Sequence, residues 1–283
     1  MTPLIVAAVL LAAVTHASWN ALAHTIKDQL VAFTLIAGGA TAMAAVLVCF
    51  SPVPSAGAWP YLIASAILHV GYQALLMRSF SLGDFGQMYP IARGTAPLVV
   101  TVLAAAFVGE TPAGAQTAGV AVASAGLVGV ALWGIRGSGS RPHWPALLAA
   151  VATGLSIAAY TVVDGVGVRE SGTPVGYIAW LMVLQGTLIP AYAYARHRNR
   201  LWARLRPHAA RGLLGAAMSI SAYALVLWAQ TRAPLAPIAA LRESSIIVGA
   251  AIGTLLFKER FGGPRLVAAG LMVLGIGLML RAG

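Results

Sequence analysis

Charged side chains are scarce in this chain. Only 9% of its 283 residues are charged, and 18 of these are basic against 7 that are acidic. A soluble globular protein carries about 25% charged residues, so the composition excludes that class, and a mean hydropathy of +0.84 predicts an all-helical, multi-pass membrane protein. The net charge of +11 lies mostly in connecting loops, where we expect it to signal topology or contact lipid rather than bind nucleic acid.

Cysteine is almost absent as well. The single Cys49 lies in an apolar run, which excludes a disulfide within the chain and indicates no thiol chemistry. The N-terminus also lacks the basic region of a signal peptide, so we interpret it as a retained first span. A composition rich in Ala, Gly and Arg is typical of a high-GC bacterium, which would place the protein in the inner membrane.

Long apolar runs are what the chain has in abundance. Each is about 20 residues long, enough to cross a bilayer, and short segments rich in Gly, Pro and Arg separate them. None of these connections is long enough for a soluble domain. The predicted spans cover residues 2–24, 30–50, 58–81, 84–108, 112–134, 143–165, 174–195, 208–231, 234–257 and 263–281.

The two halves of the chain repeat one another. A shift of 149 residues places Arg93 on Arg242 and Glu110 on Glu259, and two glycines coincide at the same offset. We therefore predict two five-helix repeats, residues 1–135 and 142–283. Because five is odd, the second repeat must enter the membrane from the opposite side, and such inverted repeats are typical of secondary transporters.

Each half ends in an apolar helix, a glutamate, a short glycine-bearing turn and a glycine-rich helix. This pattern, together with the stretch "HASWNAL" in the first span, resembles the EamA-type transporters of the drug/metabolite transporter superfamily over essentially the whole chain. The resemblance implies a ten-helix carrier with a central cavity, often an exporter of amino acids, metabolites or toxic compounds. It also implies that both termini are cytoplasmic.

The basic residues predict the opposite orientation. The even-numbered connections hold only Arg169 and Arg232, and positive charge favours the cytoplasmic side of a membrane. We therefore predict that both termini are periplasmic. The odd-numbered connections hold Lys27, Arg136, Arg141, Arg196, Arg198, Arg200, Arg204, Arg206, Arg211, Lys258, Arg260 and Arg265.

Two arginines are the strongest candidates for a substrate site. Arg93 and Arg242 each lie about a third of the way into a span, where lipid exposure is untenable and a cavity or an internal partner is needed. One interpretation is an anion site, because a guanidinium suits carboxylate, phosphate or phosphonate groups. The other is a structural ion pair, most simply of Arg242 with Glu243 or Asp164.

The acidic residues divide into three interpretations. Glu243 is the candidate for proton coupling, because burial disfavours a charged carboxyl group unless a cation holds it ionised; the alternative is a structural pair. Asp164 is expected at the membrane edge. Glu110 and Glu259 end equivalent helices, where each is expected to cap the start of the following helix.

Polar and aromatic stripes predict the cavity wall. Their members recur at helical i, i+3, i+4 spacing in spans that lipid contact alone would make uniformly aliphatic. The alternative is that they form hydrogen bonds between helices. With the two arginines, the predicted substrate-binding residues are His16, Trp19, Asn20, His69, Tyr72, Gln73, Tyr89, Tyr160 and Tyr223.

We predict a secondary-active transporter that exports a small anionic or zwitterionic metabolite by alternating access, with protons as a candidate coupling ion. A broad exporter of cationic drugs is the alternative. A membrane-embedded enzyme or a scaffold is less favoured, because no catalytic motif is present and a scaffold needs no buried polar faces. His16 and His69 alone are a weak basis for a metal site, and no motif indicates a cofactor or an oligomeric state.

Overall fold

The computed structural model describes residues 1–82, 85–111, 114–137, 144–257 and 263–281. These residues are helical throughout, with short turns and no strand, which confirms the all-helical class. The helices are α1 (Pro3–His24), α2 (Gln29–Val48), α3 (Trp59–Leu82), α4 (Phe85–Gly94), α5 (Ala96–Phe107), α6 (Gly114–Gly137), α7 (Trp144–Glu170), α8 (Pro174–Gly186), α9 (Leu188–His197), α10 (Leu201–Leu205), α11 (Ala209–Gln230), α12 (Leu235–Arg242), α13 (Ser245–Phe257) and α14 (Gly263–Arg281).

Large apolar side chains cover the outside of the helices. Leu11, Ile67 and Leu148 are 57%, 68% and 67% exposed, an arrangement that suits a hydrocarbon solvent and not water. Within the described residues, five stretches are long and apolar enough to cross a membrane, and two shorter apolar helices, Ile91–Phe107 and Gly270–Met279, accompany them. The five stretches are Pro3–His24, Gln29–Val48, Ala56–Ser79, Trp144–Glu170 and Pro174–Gln230.

Three pairs of helices are separated by only one or two residues. Thr95 separates α4 from α5, Thr187 separates α8 from α9, and Glu243 with Ser244 separates α12 from α13. Pro97 and Pro190 follow the first two breaks. A proline ring clashes with the carbonyl group four residues earlier, which is that of Arg93 or Gly186, so each break lies where the helix cannot continue unchanged.

Packing pairs helices from opposite halves of the chain. The most extensive contacts are α6 with α14, α3 with α7 and α1 with α11. In the first of these, Gly119 lies so close to Gly275 and Met279 that a Cβ atom on either glycine would meet the other helix's backbone. Small residues of this kind let two helices approach closely.

The connections between helices lie at two ends of the molecule. We call them the terminal end, which contains Ser55 and Ser171, and the basic end, which contains Asp28 and Arg204. At the terminal end, Ser55 donates from its backbone N–H to Ser171 O at 3.1 Å and from its hydroxyl to Glu170 O at 2.6 Å. At the basic end, Arg204 pairs with Asp28 at 3.2 Å. The start of α1 and the end of α14 lie at the terminal end, because α1 leads from there to the segment before Asp28 and Met279 of α14 packs near the start of α6.

Candidate functional site

A cavity of about 70 Å³ lies between α1, α2, α3, α7, α8 and α11. It therefore draws on both halves of the chain. Roughly five water molecules would fill such a space, so a larger ligand requires some outward movement of the walls. The lining residues are His16, Trp19, Phe33, Ile36, Ala37, Ala40, His69, Tyr72, Gln73, Tyr160, Met182, Gln185, Gly186, Ser219 and Tyr223.

Seven of the predicted substrate-binding residues border this cavity: His16, Trp19, His69, Tyr72, Gln73, Tyr160 and Tyr223. Asn20 does not, since its Nδ2 donates at 2.9 Å to the backbone oxygen of His16 within its own helix. The side chain of Tyr89 falls outside the described part of the chain. The apolar wall from α2 and Met182 was not predicted, because its residue types are those of any lipid-facing helix.

Aromatic rings form one side of the cavity. The rings of His69 and Tyr160 are stacked with centroids 3.9 Å apart, and Tyr72 and Tyr223 meet them edge-on at 5.4–6.3 Å. Such edge-to-face contacts stabilise an aromatic cluster by about 0.5–1.5 kcal/mol per pair beyond burial. The cluster is thus a firm surface against which the organic part of a ligand can pack.

Three buried polar atoms in the cavity wall have no hydrogen-bond partner among the described residues. They are His16 Nε2, Gln73 Oε1 and Gln185 Oε1. The Nε1–H of Trp19 donates to His16 Nδ1 at 3.2 Å, so a neutral His16 carries its proton on Nε2 and presents a donor. Buried polar atoms are normally paired, and these three are therefore available to a ligand or to water.

A buried ion cluster lies where two helix breaks meet. Arg93 Nε is 2.7 Å from Glu243 Oε2, and Arg242 Nε is 3.7 Å from Glu243 Oε1. All three side chains are at most 4% exposed. Each arginine lies at or next to the C-terminal end of its helix and Glu243 just before the start of α13, the positions that the helix dipoles favour. The expected pair of Arg242 with Glu243 is thus the weaker one, and Arg93 is the main partner of Glu243.

Among the described residues, the cluster consists of two guanidinium groups and one carboxylate, close to the cavity. At the 149-residue offset, Gly94 stands where the second half has Glu243. Arg242 reaches the Thr161 hydroxyl at 3.4 Å, next to the cavity residue Tyr160, and it interacts electrostatically with His69, Tyr160 and Tyr223. The arginines themselves are not part of the cavity wall.

Asp164 is enclosed in the protein, and its expected position at the membrane edge stays a prediction. Its side chain is fully buried. The hydroxyl of Tyr177 donates to Oδ1 at 2.9 Å, and the hydroxyl of Tyr223 donates to Oδ2. Asp164 lies only six residues from the end of α7, which made the edge plausible, but the hydroxyl groups of α8 and α11 provide partners that only the fold brings together.

Glu110 caps a helix of the other half of the chain. The expectation that it caps the helix that follows it was therefore wrong. Its Oε2 accepts from the backbone N–H of Leu235, the first residue of α12, at 2.7 Å. Its Oε1 pairs with Arg169 at 2.6 Å, and Arg169 also donates to the backbone oxygens of Gln230 and Ala233. Glu259 lies outside the described residues.

Metal chemistry finds no support in the described part of the chain. No group of three His, Cys, Asp or Glu side chains there could hold a metal ion. His16 and His69 line the same cavity, but no carboxylate or thiolate completes a ligand set with them.

The chain was compared with families, curated proteins and solved structures. A model of the EamA-like transporter family matches residues 144–281. No curated protein matches the sequence. One crystal structure, described only as that of a protein, superposes with a TM-score of 0.72 and 19% identity, covering all of this chain and 98% of the other, which shows a shared fold.

The family match agrees with the apolar helices and indicates a multi-pass membrane transporter. Residues 144–281 match the EamA-like transporter family, which is part of the drug/metabolite transporter superfamily.

Proposed function

We propose that this protein exports a small anionic or zwitterionic metabolite across a bacterial inner membrane by alternating access around the cavity. The observation that carries this proposal is the set of unpaired polar atoms of His16, Gln73 and Gln185 in a cavity walled by aromatic rings. A binding cavity needs such groups to orient a ligand. A merely structural cavity would have paired them.

The excess positive charge supports the preference for a negative group. Arg242 is buried beside the cavity and shares Glu243 with Arg93. A carboxylate, phosphate or phosphonate entering the cavity would gain from this field. The His16 Nε2–H would donate to such a group, while the glutamine oxygens suit an ammonium or another donor.

Reciprocal packing supports an inverted repeat of two five-span halves. The two helices on either side of each break can be counted as one span, which joins α4 with α5, α8 with α9 and α12 with α13. In that count, α1 corresponds to α7 and α3 corresponds to α11. The contact of α1 with α11 then has its equivalent in the contact of α7 with α3. The breaks after Arg93 and Arg242 are equivalent too. Two halves related in this way can exchange their arrangements, which is the basis of alternating access.

The described contacts favour a state that is closed at the terminal end. Backbone and side-chain bonds join Ser55 to residues 170–171, and Glu110 joins α12 to Arg169. At the basic end, the described ion pair is the partly exposed Asp28–Arg204. The basic segment 196–211 argues that this end is cytoplasmic, so both termini would be periplasmic and the cavity would load from the cytoplasm.

A broad exporter of cationic drugs is the rival function. It needs a negative cavity, but the described lining contains no carboxylate. Asp164 is separated from the cavity by Tyr223, and Glu243 is bound to Arg93.

The test is ligand-induced thermal stabilisation of the purified protein. The probes are mono- and dicarboxylates, amino acids and phosphonates, with tetraphenylphosphonium as the cationic drug. A ligand at a hundred times its Kd stabilises the native state by about 2.7 kcal/mol. Arg242→Gln removes the proposed charge, Arg242→Lys keeps it, and Arg232→Gln is the matched control because Arg232 lies exposed against Trp228.

We expect at least one carboxylate, amino acid or phosphonate to stabilise the wild type and the Arg232→Gln control. The effect should disappear in Arg242→Gln and partly return in Arg242→Lys. Equal stabilisation of all variants by tetraphenylphosphonium, with no response to any anionic or zwitterionic probe, would instead favour the drug exporter.

A further inference from the structure

We propose that Asp164 is the carboxylate that binds and releases the coupling proton. This inference rests on the proposed transport function, and it moves the coupling site from Glu243 to a residue of α7. Asp164 and Glu243 are the two buried acidic residues in the described part of the chain. The partners of these two carboxylates differ, and the difference favours Asp164 as the coupling site.

Glu243 is held ionised by direct contact with cations. Arg93 lies 2.7 Å from one carboxylate oxygen, and Arg242 lies 3.7 Å from the other. Protonation of Glu243 would remove the negative charge that both buried guanidinium groups contact, which is strongly unfavourable. A carboxylate so placed stabilises the fold and is poorly suited to repeated proton exchange.

Asp164 has only neutral groups as hydrogen-bond partners. The hydroxyls of Tyr177 and Tyr223 donate to its two oxygens, and the hydroxyl of Ser65 lies within hydrogen-bonding reach. Hydroxyl groups can donate to the ionised form and can also accept from the protonated form. Both protonation states therefore have hydrogen-bond partners without any rearrangement of a buried cation.

The titratable and charged groups that face Asp164 come from four neighbouring helices and from α7 itself. Tyr177 and Tyr223 contact it directly, and Tyr160 and Arg242 act on it over longer distance. His69 of α3 bonds to Ser65 through Nδ1. Arg169, five residues further along α7, is bound to Glu110 at the terminal end. Arg242 is thus the one cation acting on Asp164 in this set, and it does not contact the carboxylate.

Tyr223 connects Asp164 to the cavity. Its side chain lines the cavity and its hydroxyl is bonded to Asp164 Oδ2. A cavity water can give a proton to the Tyr223 oxygen while the tyrosine passes its own proton to Asp164. The carboxylate becomes neutral, the water leaves as hydroxide, and the reverse transfer restores both. The proton therefore passes from the cavity water to Asp164 through a single hydroxyl group, that of Tyr223.

Protonation would also alter the contacts between helices of the second half. Ionised Asp164 accepts from Tyr177 of α8 and Tyr223 of α11 at the same time. A neutral carboxyl group is a weaker acceptor and must direct one proton towards a partner. The hydrogen bonds that join α7 to α8 and α11 then weaken, near the end where Arg169 of α7 pairs with Glu110. Proton binding and opening of the terminal end are coupled in this way.

The first test uses the proton itself as the probe. Infrared spectra of the reconstituted protein are recorded over a pH series, and the carbonyl stretch of protonated carboxyl groups is followed. We expect a band that disappears with rising pH in the wild type, in Glu243→Gln and in the exposed control Asp28→Asn. Asp164→Asn should lack it. A band that persists in Asp164→Asn and is lost in Glu243→Gln would return coupling to Glu243.

The second test separates coupling from transport. Proteoliposomes take up a radiolabelled amino-acid mixture, either by exchange at equal pH or against an imposed pH gradient. Asp164→Asn should keep exchange, while its gradient-driven accumulation falls to the level without a gradient. Full gradient response in Asp164→Asn overturns the inference but leaves the transport function standing, whereas absence of all transport in the wild type counts against the proposed function.

Two further variants test the assignment in case Asp164→Asn does not fold. Tyr223→Phe and Tyr177→Phe keep the carboxyl group and remove one hydrogen bond each. Each should change the pH at which the infrared band is lost, and the exposed Tyr194→Phe should not. An unchanged band in both contacting variants contradicts the assignment.

Discussion

At the residue scale, one substitution between the two halves creates the chemistry of the ion cluster. The 149-residue offset aligns Arg93 with Arg242 and Gly94 with Glu243. Among the described residues, two cations therefore contact one anion, beside an aromatic cavity. A second glutamate at position 94 would have neutralised the site.

Removal of Glu243 should be costly. In Glu243→Gln, Arg93 and Arg242 lose the carboxylate that both of them contact, and breaking a buried ion pair from one side costs about 3–5 kcal/mol. Chemical unfolding of the purified protein in detergent measures the change. Asp28→Asn is the control, because its partly exposed pair with Arg204 is worth about 0–1 kcal/mol and asparagine still caps α2. Equal losses in the two variants would mean that the cluster contributes no special stability.

Substitution of Gln73 should weaken ligand binding without lowering the stability of the fold. Its buried Oε1 has no partner among the described residues, so Gln73→Met removes an unsatisfied polar atom while it keeps most of the volume. We expect the unfolding midpoint to stay the same or rise, and ligand-induced stabilisation to fall. A lower midpoint with unaltered ligand response would assign Gln73 to the fold.

Local spacing predicted residues of the cavity well and contacts across the fold poorly. His16 with Trp19, and His69 with Tyr72 and Gln73, were recognised because polar stripes at helical spacing have no place in lipid. The pairing of Arg93 with Glu243 was not, because 150 residues separate them. For Asp164, distance from the helix end could not predict its hydrogen-bond partners on α8 and α11.

At the element scale, the helix breaks position the ion cluster. Pro97 is the sequence signal for the break after Arg93, and Pro190 provides the same signal for the break at Thr187. The break at Glu243 has no proline after it within α13. Prolines therefore account for two of these three breaks.

Gly154 tests the contact between α7 and the α4–α5 break. A Cβ atom at Gly154 would overlap the Thr95 hydroxyl and lie 2.7 Å from Ala92 O. Gly154→Ala should cost about 1–3 kcal/mol by overpacking. Gly71→Ala is the matched control in α3, where nothing lies within 4 Å, and it should stabilise by about 0.5–1 kcal/mol. Unfolding experiments on both variants decide, and stabilisation by both would contradict the close contact.

At the scale of the whole molecule, the distribution of charge predicts the orientation in the membrane. The basic segment 196–211 and the Asp28–Arg204 pair lie at one end, and both termini lie at the other. Apolar length predicted membrane-spanning helices, and matching residues predicted the repeat, which stays a prediction. How the halves pack was not, because the apolar faces of α2 and α8 carry no mark that separates cavity from lipid.

A C-terminal reporter that is active only in the cytoplasm should therefore give no signal. The same reporter inserted between Arg200 and Leu201, in the basic segment, is the positive control and should be active. The reverse result would place the termini in the cytoplasm, and the cavity would then load from the outside.

The central claim is that transport requires the terminal end to open and close. Ser55 and Ser171 are joined there by a backbone hydrogen bond of 3.1 Å, so these two positions are close together in the chain fold. In a Cys49→Ala background, Ser55→Cys with Ser171→Cys can lock this end by oxidation. We predict that the locked protein still binds the ligand in the thermal assay, that uptake of the radiolabelled amino-acid mixture by proteoliposomes stops, and that a reductant restores uptake. Uptake at the full rate in the locked protein would contradict alternating access through this end.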